Sequence, residues 1–209
     1  MPEKTRELPL FPLPEVILFP DAPLRLHIFE MKYRQMLSTI LEGDHCFGVL
    51  LWNPILRRPA SVGCRAEVVQ VEKLPDGRSN ILTIGRRRFR VLETSHDRPY
   101  LVGRVEEFED KKAKHSLTGL SAEVDNMLRD VVRLSAKLRD KCMDYPDDVP
   151  TDPLELSFWV AGSLLGLSVE QQALLEMDET AARLRREAEL LDNIRKELAA
   201  RTVLKDALR

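Results

Sequence analysis

Prolines interrupt the apolar runs at the start of this chain, and this feature limits the possible fold more than any other. They stand at positions 9, 12, 14, 20 and 23. Proline has no backbone N–H and disfavours helix for the residue before it. Residues 8–29 are therefore predicted to form edge strands and extended connections.

A helical pattern replaces the prolines from Phe29 onward. Apolar residues recur there at three- and four-residue spacing, which predicts one amphipathic helix after three strands. Gly43 is expected to end this helix. Glu30 and Arg34 are four residues apart and are predicted to form an ion pair on it. The predicted apolar face consists of Phe29, Tyr33, Met36, Leu37, Ile40 and Leu41.

Short runs rich in β-branched and aromatic residues follow, up to a polar segment at residues 110–119. Their length and their Pro, Gly and Asp boundaries predict strands. Pro75-Asp76-Gly77 separates two of these runs and predicts a hairpin turn in which glycine adopts a positive φ. The first part of the chain should therefore be a β domain.

Beyond the polar segment the spacing predicts only helices. A long amphipathic helix over residues 120–138 should end near 142–146. Asp152-Pro153-Leu154-Glu155 has the residues of a helix start, and Ser168 with Gln171 resembles a capping box. A last long helix should run from about residue 180 to about 208. We expect these helices to pack in an antiparallel bundle.

Composition indicates a globular, cytoplasmic protein. The 209 residues are 44% hydrophobic and 32% charged, enough apolar material for one good core or two small ones. No apolar run approaches the ~20 residues of a membrane span, and MPEKTR does not begin a signal peptide. Cys46, Cys64 and Cys142 are widely separated and are expected to be reduced thiols.

Several words of the sequence resemble the Lon substrate-binding domain family, the amino-terminal domain of Lon proteases. The order PLFPL, VILFP, PLRLHIFE and a helix with YRQM is similar to the family's opening. SVGCRAEVVQV and NILTIGRRRFRVL resemble two further family segments, with Cys64 where threonine is usual. The resemblance implies a PUA-like fold, a strand-rich and partly closed barrel, and a role in binding polypeptides.

No constellation of catalytic residues accompanies this resemblance. The chain has no phosphate-binding loop and no G-x-S-x-G elbow, and 209 residues leave no room for the ATPase and protease modules of a whole Lon protease. The four histidines and three cysteines lack the spacing of metal ligands. His27 is expected to be satisfied by a backbone carbonyl. We therefore expect a stand-alone, ATP-independent domain that is not an enzyme and needs no cofactor or metal.

Arginines cluster in one predicted strand. Arg86, Arg88 and Arg90 should face one way and form a cationic ladder, while Phe89 and Val91 face the other. One interpretation is a surface for anions or nucleic acid. The favoured one is a solvated sheet face that pairs with glutamates on neighbouring strands. A net charge of −2 also argues against a dedicated nucleic-acid binder.

The connection LWNPILRRP is too apolar for an ordinary loop. Its residues either fold back as a lid on the core, the favoured interpretation, or remain exposed and bind another protein. An exposed aromatic residue beside Arg57 and Arg58 is typical of a binding hot spot. The candidate protein-binding residues are Trp52, Pro54, Ile55, Leu56 and Arg57.

Together these patterns predict an α+β protein with two domains. Residues 1–115 should form a PUA-like, partly closed β-barrel with one inserted helix, and residues 116–209 an α-helical domain. The predicted function is binding of unfolded segments, client proteins or partners of a proteolytic system. An RNA-binding module that uses Arg86, Arg88 and Arg90 is the alternative. The sequence leaves the client and the oligomeric state open.

Overall fold

The computed structural model describes residues 5–140 and 144–207, so Cys142 lies outside the described residues. Within these ranges the strands precede most of the helices, and the predicted α+β class is confirmed. The elements are β1 (Thr5–Pro14), β2 (Pro23–Ile28), α1 (Met31–Leu41), β3 (Cys46–Asn53), β4 (Arg58–Pro59), β5 (Val62–Lys73), β6 (Ser79–Ser95), β7 (Val102–Phe108), α2 (Thr118–Arg139), α3 (Pro153–Ser163), α4 (Ser168–Glu176) and α5 (Thr180–Ala207).

The proline-rich opening is extended, as predicted. The first half of β1 pairs antiparallel with β7, and its second half pairs parallel with β3. In these registers each half of β1 pairs with only one neighbouring strand. This suits a strand that contains prolines, because proline has no backbone N–H to donate to a neighbouring strand. Leu8 and Leu10 are buried, as expected for alternate positions of a strand with one face in the core.

The inserted helix follows the second strand and not the third, so that detail of the prediction is wrong. The apolar run at residues 16–19 lies in the segment predicted to form edge strands and extended connections, and it forms no strand. Glu15 and Asp21 have positive φ angles of 58° and 61° and bend the chain on either side of it. Leu18 and Phe19 are nevertheless buried, so the run contributes to the core without joining the sheet.

The strands form one sheet that closes only in part. Its path runs β1-β7-β6-β5-β3-β4, and the additional pairing of β1 with β3 brings strands from the two ends of that path together. β4 continues beyond β3, while β2 pairs with the first part of β6. The predicted partly closed barrel is confirmed.

Phe89 packs on the inner face of this sheet, where two glycines leave no room for a side chain. Its side chain is fully buried in a cluster with Leu8, Leu10 and Leu50. A Cβ at Gly48 would lie 2.5 Å from Phe89 Cζ, and one at Gly63 would lie 2.2 Å from the Val49 carbonyl oxygen. Only glycine fits at these two positions, because real Cβ contacts are not that short.

The described contacts divide the chain into two compact units. The first contains the strands and α1, up to residue 109, together with residues 161–176. The second contains residues 110–160 and those from 177 onward. The division falls inside α3, between Val160 and Ala161. The predicted domain boundary at residues 115–116 stays a prediction, since compactness alone does not test independent folding.

In the first unit, residues 161–176 supply polar groups to the strands. Gln172 Nε2 donates to the Val62 carbonyl oxygen at 3.1 Å. Arg88 Nη1 donates to the Leu175 carbonyl oxygen at 2.8 Å. Gln171 Nε2 donates to the carbonyl of Ala161, so its amide group serves the end of α3 and not the predicted capping box of α4. These late residues therefore complete a unit that is built mainly from the first half of the chain.

In the second unit, α2 and α5 run parallel, and the predicted antiparallel packing is wrong for this pair. Asp130 lies 3.7 Å from Arg195, and near the carboxyl ends of both helices Lys205 Nζ lies 2.6 Å from Asp140. Antiparallel packing follows from a short connection. Here α3 and α4 lie between the two helices in the chain, so the connection imposes no such direction.

Candidate functional site

The β3–β4 tip, residues 53–57, presents two aliphatic side chains to solvent. Asn53 Oδ1 accepts hydrogen bonds from the backbone N–H groups of Ile55 at 3.0 Å and Leu56 at 2.9 Å. This side-chain turn satisfies the backbone locally, so the tip needs no packing partner. Ile55 is 89% exposed and Leu56 is 58% exposed.

The favoured prediction of a core lid for this segment is therefore wrong. Trp52 is half-buried and lies opposite Pro59 in the β3–β4 pairing, whereas Pro54 and Arg57 are exposed. Arg57 has a positive φ of 50°, which turns the chain back into β4. The open alternative, an exposed apolar connection, is the one observed. Its role in binding stays a prediction.

The three arginines of the predicted ladder have different surroundings. Arg86 is exposed and pairs with Glu67 at 2.6 Å, as the favoured interpretation expected. Arg88 is only 2% exposed, which contradicts an open cationic ladder. Both Arg88 and Arg90 lie over the ring of Phe108, at 4.4 and 3.8 Å from its centroid. Strand alternation predicted which side chains share a face of the sheet, but it did not predict that Arg88 on that face is buried.

A second exposed apolar group, missed by sequence reasoning, lies at the entry to α1. Phe29 was predicted on the buried face of that helix, but it precedes the helix and is 59% exposed. Met31, the first residue of α1, is 62% exposed. The helical periodicity did not distinguish the flanking residues from the true apolar face, which is Met36, Leu37 and Ile40.

His27 stacks beside Phe29 and belongs to a chain of hydrogen bonds across the sheet. Its Nδ1 lies 2.7 Å from Asn80 Oδ1, and Asn80 Nδ2 donates to Glu72 at 2.8 Å. The partner of His27 is thus a side-chain amide and not the predicted backbone carbonyl. Since the imidazole is exposed and satisfied, a structural role accounts for it.

No group of His, Cys, Asp and Glu that could hold a metal ion occurs in the part of the chain that the structure describes. Cys46 and Cys64 are free thiols, and burial raises the pKa of each, that of Cys64 to about 12. A thiol with a raised pKa is a weak nucleophile at neutral pH. Neither cysteine therefore has the properties of a reactive site.

The family model of the ATP-dependent protease La (LON) substrate-binding domain matches residues 7–193. The chain belongs to the Lon substrate-binding domain family. The domain that this family model describes is the substrate-binding domain of Lon proteases.

Curated relatives of the Lon family are similar but much longer. Lon protease 2 of Myxococcus xanthus is 26% identical over 196 residues, which cover 90% of this chain and 24% of that protein. The Lon protease of Cytophaga hutchinsonii is 24% identical over 188 residues, which cover 84% of this chain and 23% of that protein. The chain thus spans about a quarter of the length of these relatives.

Solved structures of Lon amino-terminal domains have the same fold. A Lon N-terminal domain protein from Xanthomonas campestris has a TM-score of 0.64 and 25% identity, covering 87% of this chain and 96% of that one. The N-terminal domain of the Mycobacterium avium complex Lon protease has a TM-score of 0.69 and 19% identity, covering 91% of this chain and 98% of that one.

Among the described residues, no helix has both the length and the apolar character needed to cross a membrane.

Proposed function

We propose that this protein binds polypeptides, and specifically unfolded segments of client proteins or partners of a proteolytic system. The observation that carries the proposal is the pair of exposed aliphatic side chains at the β3–β4 tip, Ile55 and Leu56, in a member of a substrate-binding family. Leaving apolar surface in water is unfavourable by about 25 cal/mol for each Å², relative to burying it. Contact with an apolar client segment recovers this free energy.

The geometry of the tip supports this role. Two hydrogen bonds to Asn53 define the backbone of the turn, which reduces the backbone entropy lost when a client binds. Trp52 and Arg57 flank them and belong to the residue types enriched at the centres of protein interfaces. An unfolded segment offers such apolar side chains without a fixed partner, whereas a folded protein buries them.

The test is capture of a denatured client without nucleotide. A reduced, unfolded model protein that aggregates on dilution is mixed with this chain, and light scattering is recorded. We expect suppression of aggregation by the unaltered chain and at least severalfold weaker suppression by Ile55→Ser/Leu56→Ser. The matched control is Leu165→Ser/Val169→Ser, since both of these residues are also exposed in the first unit.

Two outcomes count against the proposal. Equal suppression by all three proteins would mean that the tip is not the contact. No suppression of several chemically different clients would remove the binding function itself. The proposal also holds that the protein is not an enzyme, so peptidase assays should show no turnover that survives repurification.

The RNA-binding alternative has no observation in its favour. Arg86 is paired with Glu67 and Arg88 is buried, so neither guanidinium offers an open phosphate site. Strong nucleic-acid surfaces present several free cations that release counterions on binding. Charge reversal at Arg86 together with a salt titration would reveal RNA binding if it occurred.

A further inference from the structure

A groove in the first unit lies between α1 and the β5–β6 hairpin. It has a volume of about 490 Å³. One wall is a continuous face of α1 that includes Met31, Arg34 and Leu41, and the other is the hairpin with Lys73, Leu74 and Gly77. It is separate from the β3–β4 tip, because none of the tip residues lines it.

The groove contains apolar surface that the core does not use. Met31 is mostly exposed at one end, and Leu74 is half-buried on the hairpin. Leu41 packs on the core with part of its surface and lines the groove with the rest. A large apolar side chain inserted between them would cover surface on both walls.

Among the residues that the structure describes, two cations that line the groove have no counter-ion. The sequence predicts that Glu30 pairs with Arg34, but Glu30 lies 3.2 Å from Lys32 instead. Arg34 is half-buried, and within residues 5–140 and 144–207 its side chain has no hydrogen bond or ion pair. The same holds for Lys73, which is exposed. Arg78 differs, because its Nε forms an ion pair with Asp76 Oδ2 at 2.7 Å.

The guanidinium of Arg34 lies against the hairpin turn. Gly77 has a φ of +81°, and a Cβ there would lie 2.1 Å from Arg34 Nη2. The guanidinium therefore rests against the glycine of the turn, in a place that any side chain would occupy. A half-buried guanidinium without an anion is costly, because it loses hydration without gaining a charged hydrogen bond.

Charge divides the groove along its length. Among the described residues, Arg34 and Lys73 have no counter-ion, whereas Glu42, the C-cap of α1, lines the groove eight residues after Arg34. Eight helical residues span roughly 12 Å, about the length of four residues of an extended peptide. Arg34 thus attracts a carboxylate, whereas Glu42, one helical span away, repels one.

We propose that this groove binds an extended peptide segment in which a carboxylate lies next to a large apolar side chain. The carboxylate pairs with Arg34 and Lys73, and the apolar side chain lies between Met31, Leu41 and Leu74. The inference rests on the proposed function, since it names a binding groove and a class of segment for a polypeptide-binding protein. It adds a preference for acidic-apolar over basic-apolar segments.

The test uses three fluorescent peptides of twelve residues that differ at two positions. Each contains the same Leu-Phe pair in a Gly-Ser background, flanked by two Glu, two Gln or two Lys residues. Fluorescence anisotropy at low salt measures their affinity for the full chain. We expect the Glu peptide to bind about tenfold more tightly than the Gln peptide, and the Lys peptide to bind more weakly than both.

Variants assign this preference to the groove. Arg34→Glu/Lys73→Glu should reverse the order, so that the Lys peptide binds best. Arg25→Glu/Lys112→Glu changes the net charge equally at exposed residues outside the groove and should keep the original order. Arg34→Gln/Lys73→Gln removes the preference without introducing new charge. Circular dichroism and thermal unfolding verify that each variant is folded.

The outcomes separate this inference from the proposed function. If all three peptides bind equally and the reversal variant changes nothing, the groove assignment is overturned while polypeptide binding stands. If no peptide binds and no denatured client is captured, both are overturned. Binding of a poly(U) oligonucleotide in place of the Glu peptide, or self-association that only the reversal variant loses, would also overturn the peptide assignment.

Discussion

At the scale of single residues, the second unit buries an arginine that has hydrogen-bond partners and a glutamic acid that has none among the described residues. Arg183 and Glu187 are one turn apart on α5, and both are fully buried. Arg183 Nη2 donates to Asp110 at 2.5 Å and its Nε donates to Ser157 at 2.9 Å. Neither oxygen of Glu187 has a hydrogen-bond partner among the described residues. Asp110, and not Glu187, is thus the acid that accepts hydrogen bonds from the Arg183 guanidinium.

This difference sets the ionisation of Glu187. Burial raises its pKa well above the usual 4.5, and the nearby charge of Arg183 offsets this only in part. The folded chain therefore holds a proton that the unfolded chain releases above about pH 4.5. The stability contributed by the protonated carboxyl is complete below that pH and is lost as the pH rises through the folded-state pKa.

We expect Glu187→Gln to remove this pH dependence. The free energy of unfolding of the unaltered chain minus that of the variant should fall as the pH rises above 4.5, by at most about 1.4 kcal/mol for each pH unit. Urea unfolding between pH 4 and pH 8 measures the difference. Glu189→Gln is the matched control, because Glu189 is an exposed carboxylate on the same helix. A flat difference curve for Glu187→Gln would show that the carboxyl titrates normally.

At the scale of elements, local sequence signals predicted where helices and turns begin better than they predicted the hydrogen-bond partners of long side chains. Asp152 caps α3, and its Oδ1 accepts the N–H groups of Leu154 at 2.9 Å and Glu155 at 3.1 Å, as the sequence indicated. Gly77 forms the predicted turn, with a positive φ. Gln171 matches the capping-box pattern equally well, yet its amide donates to the end of α3. A cap involves only near neighbours in the chain, but a long polar side chain also reaches distant carbonyls.

We expect Asp152→Ala to lower the free energy of unfolding by about 1 kcal/mol. The loss follows because two backbone N–H groups at the start of α3 would no longer have this acceptor. Asp147→Ala removes an exposed carboxylate from the preceding segment and serves as the control. Urea denaturation of both variants makes the comparison. Equal stability of the two variants would mean that water replaces the cap without cost.

At the scale of the whole molecule, the first unit is not continuous in sequence. Gln172 and Leu175 come from α4, far along the chain, yet they supply hydrogen-bond partners to Val62 and Arg88 of the strands. Composition and periodicity place a boundary where strands give way to helices. They do not show that a later helix belongs to the earlier unit, because no local pattern records a long-range contact.

A fragment of residues 1–115 should therefore be less stable than the same strands in the full chain. It lacks the Leu175 carbonyl that accepts from Arg88, and a hydrogen bond to a charged group contributes about 2 kcal/mol. Trp52 is its only tryptophan, so fluorescence during urea unfolding reports on the strands. Full-length Trp159→Phe gives the matched reference signal. A fragment that unfolds at the same urea concentration would support an independent domain at residues 1–115.

By itself the sequence determined the elements that depend on near neighbours. Prolines made the opening extended, Asp152 began a helix, Gly77 turned a hairpin, and the order of short motifs indicated the family and its fold. Tertiary structure decided what depends on distant partners. It buried Arg88, exposed Ile55, left Arg34 without its expected glutamate and aligned α2 with α5. Burial and ion pairing depend on which surfaces meet, and periodicity along one segment does not specify its neighbours.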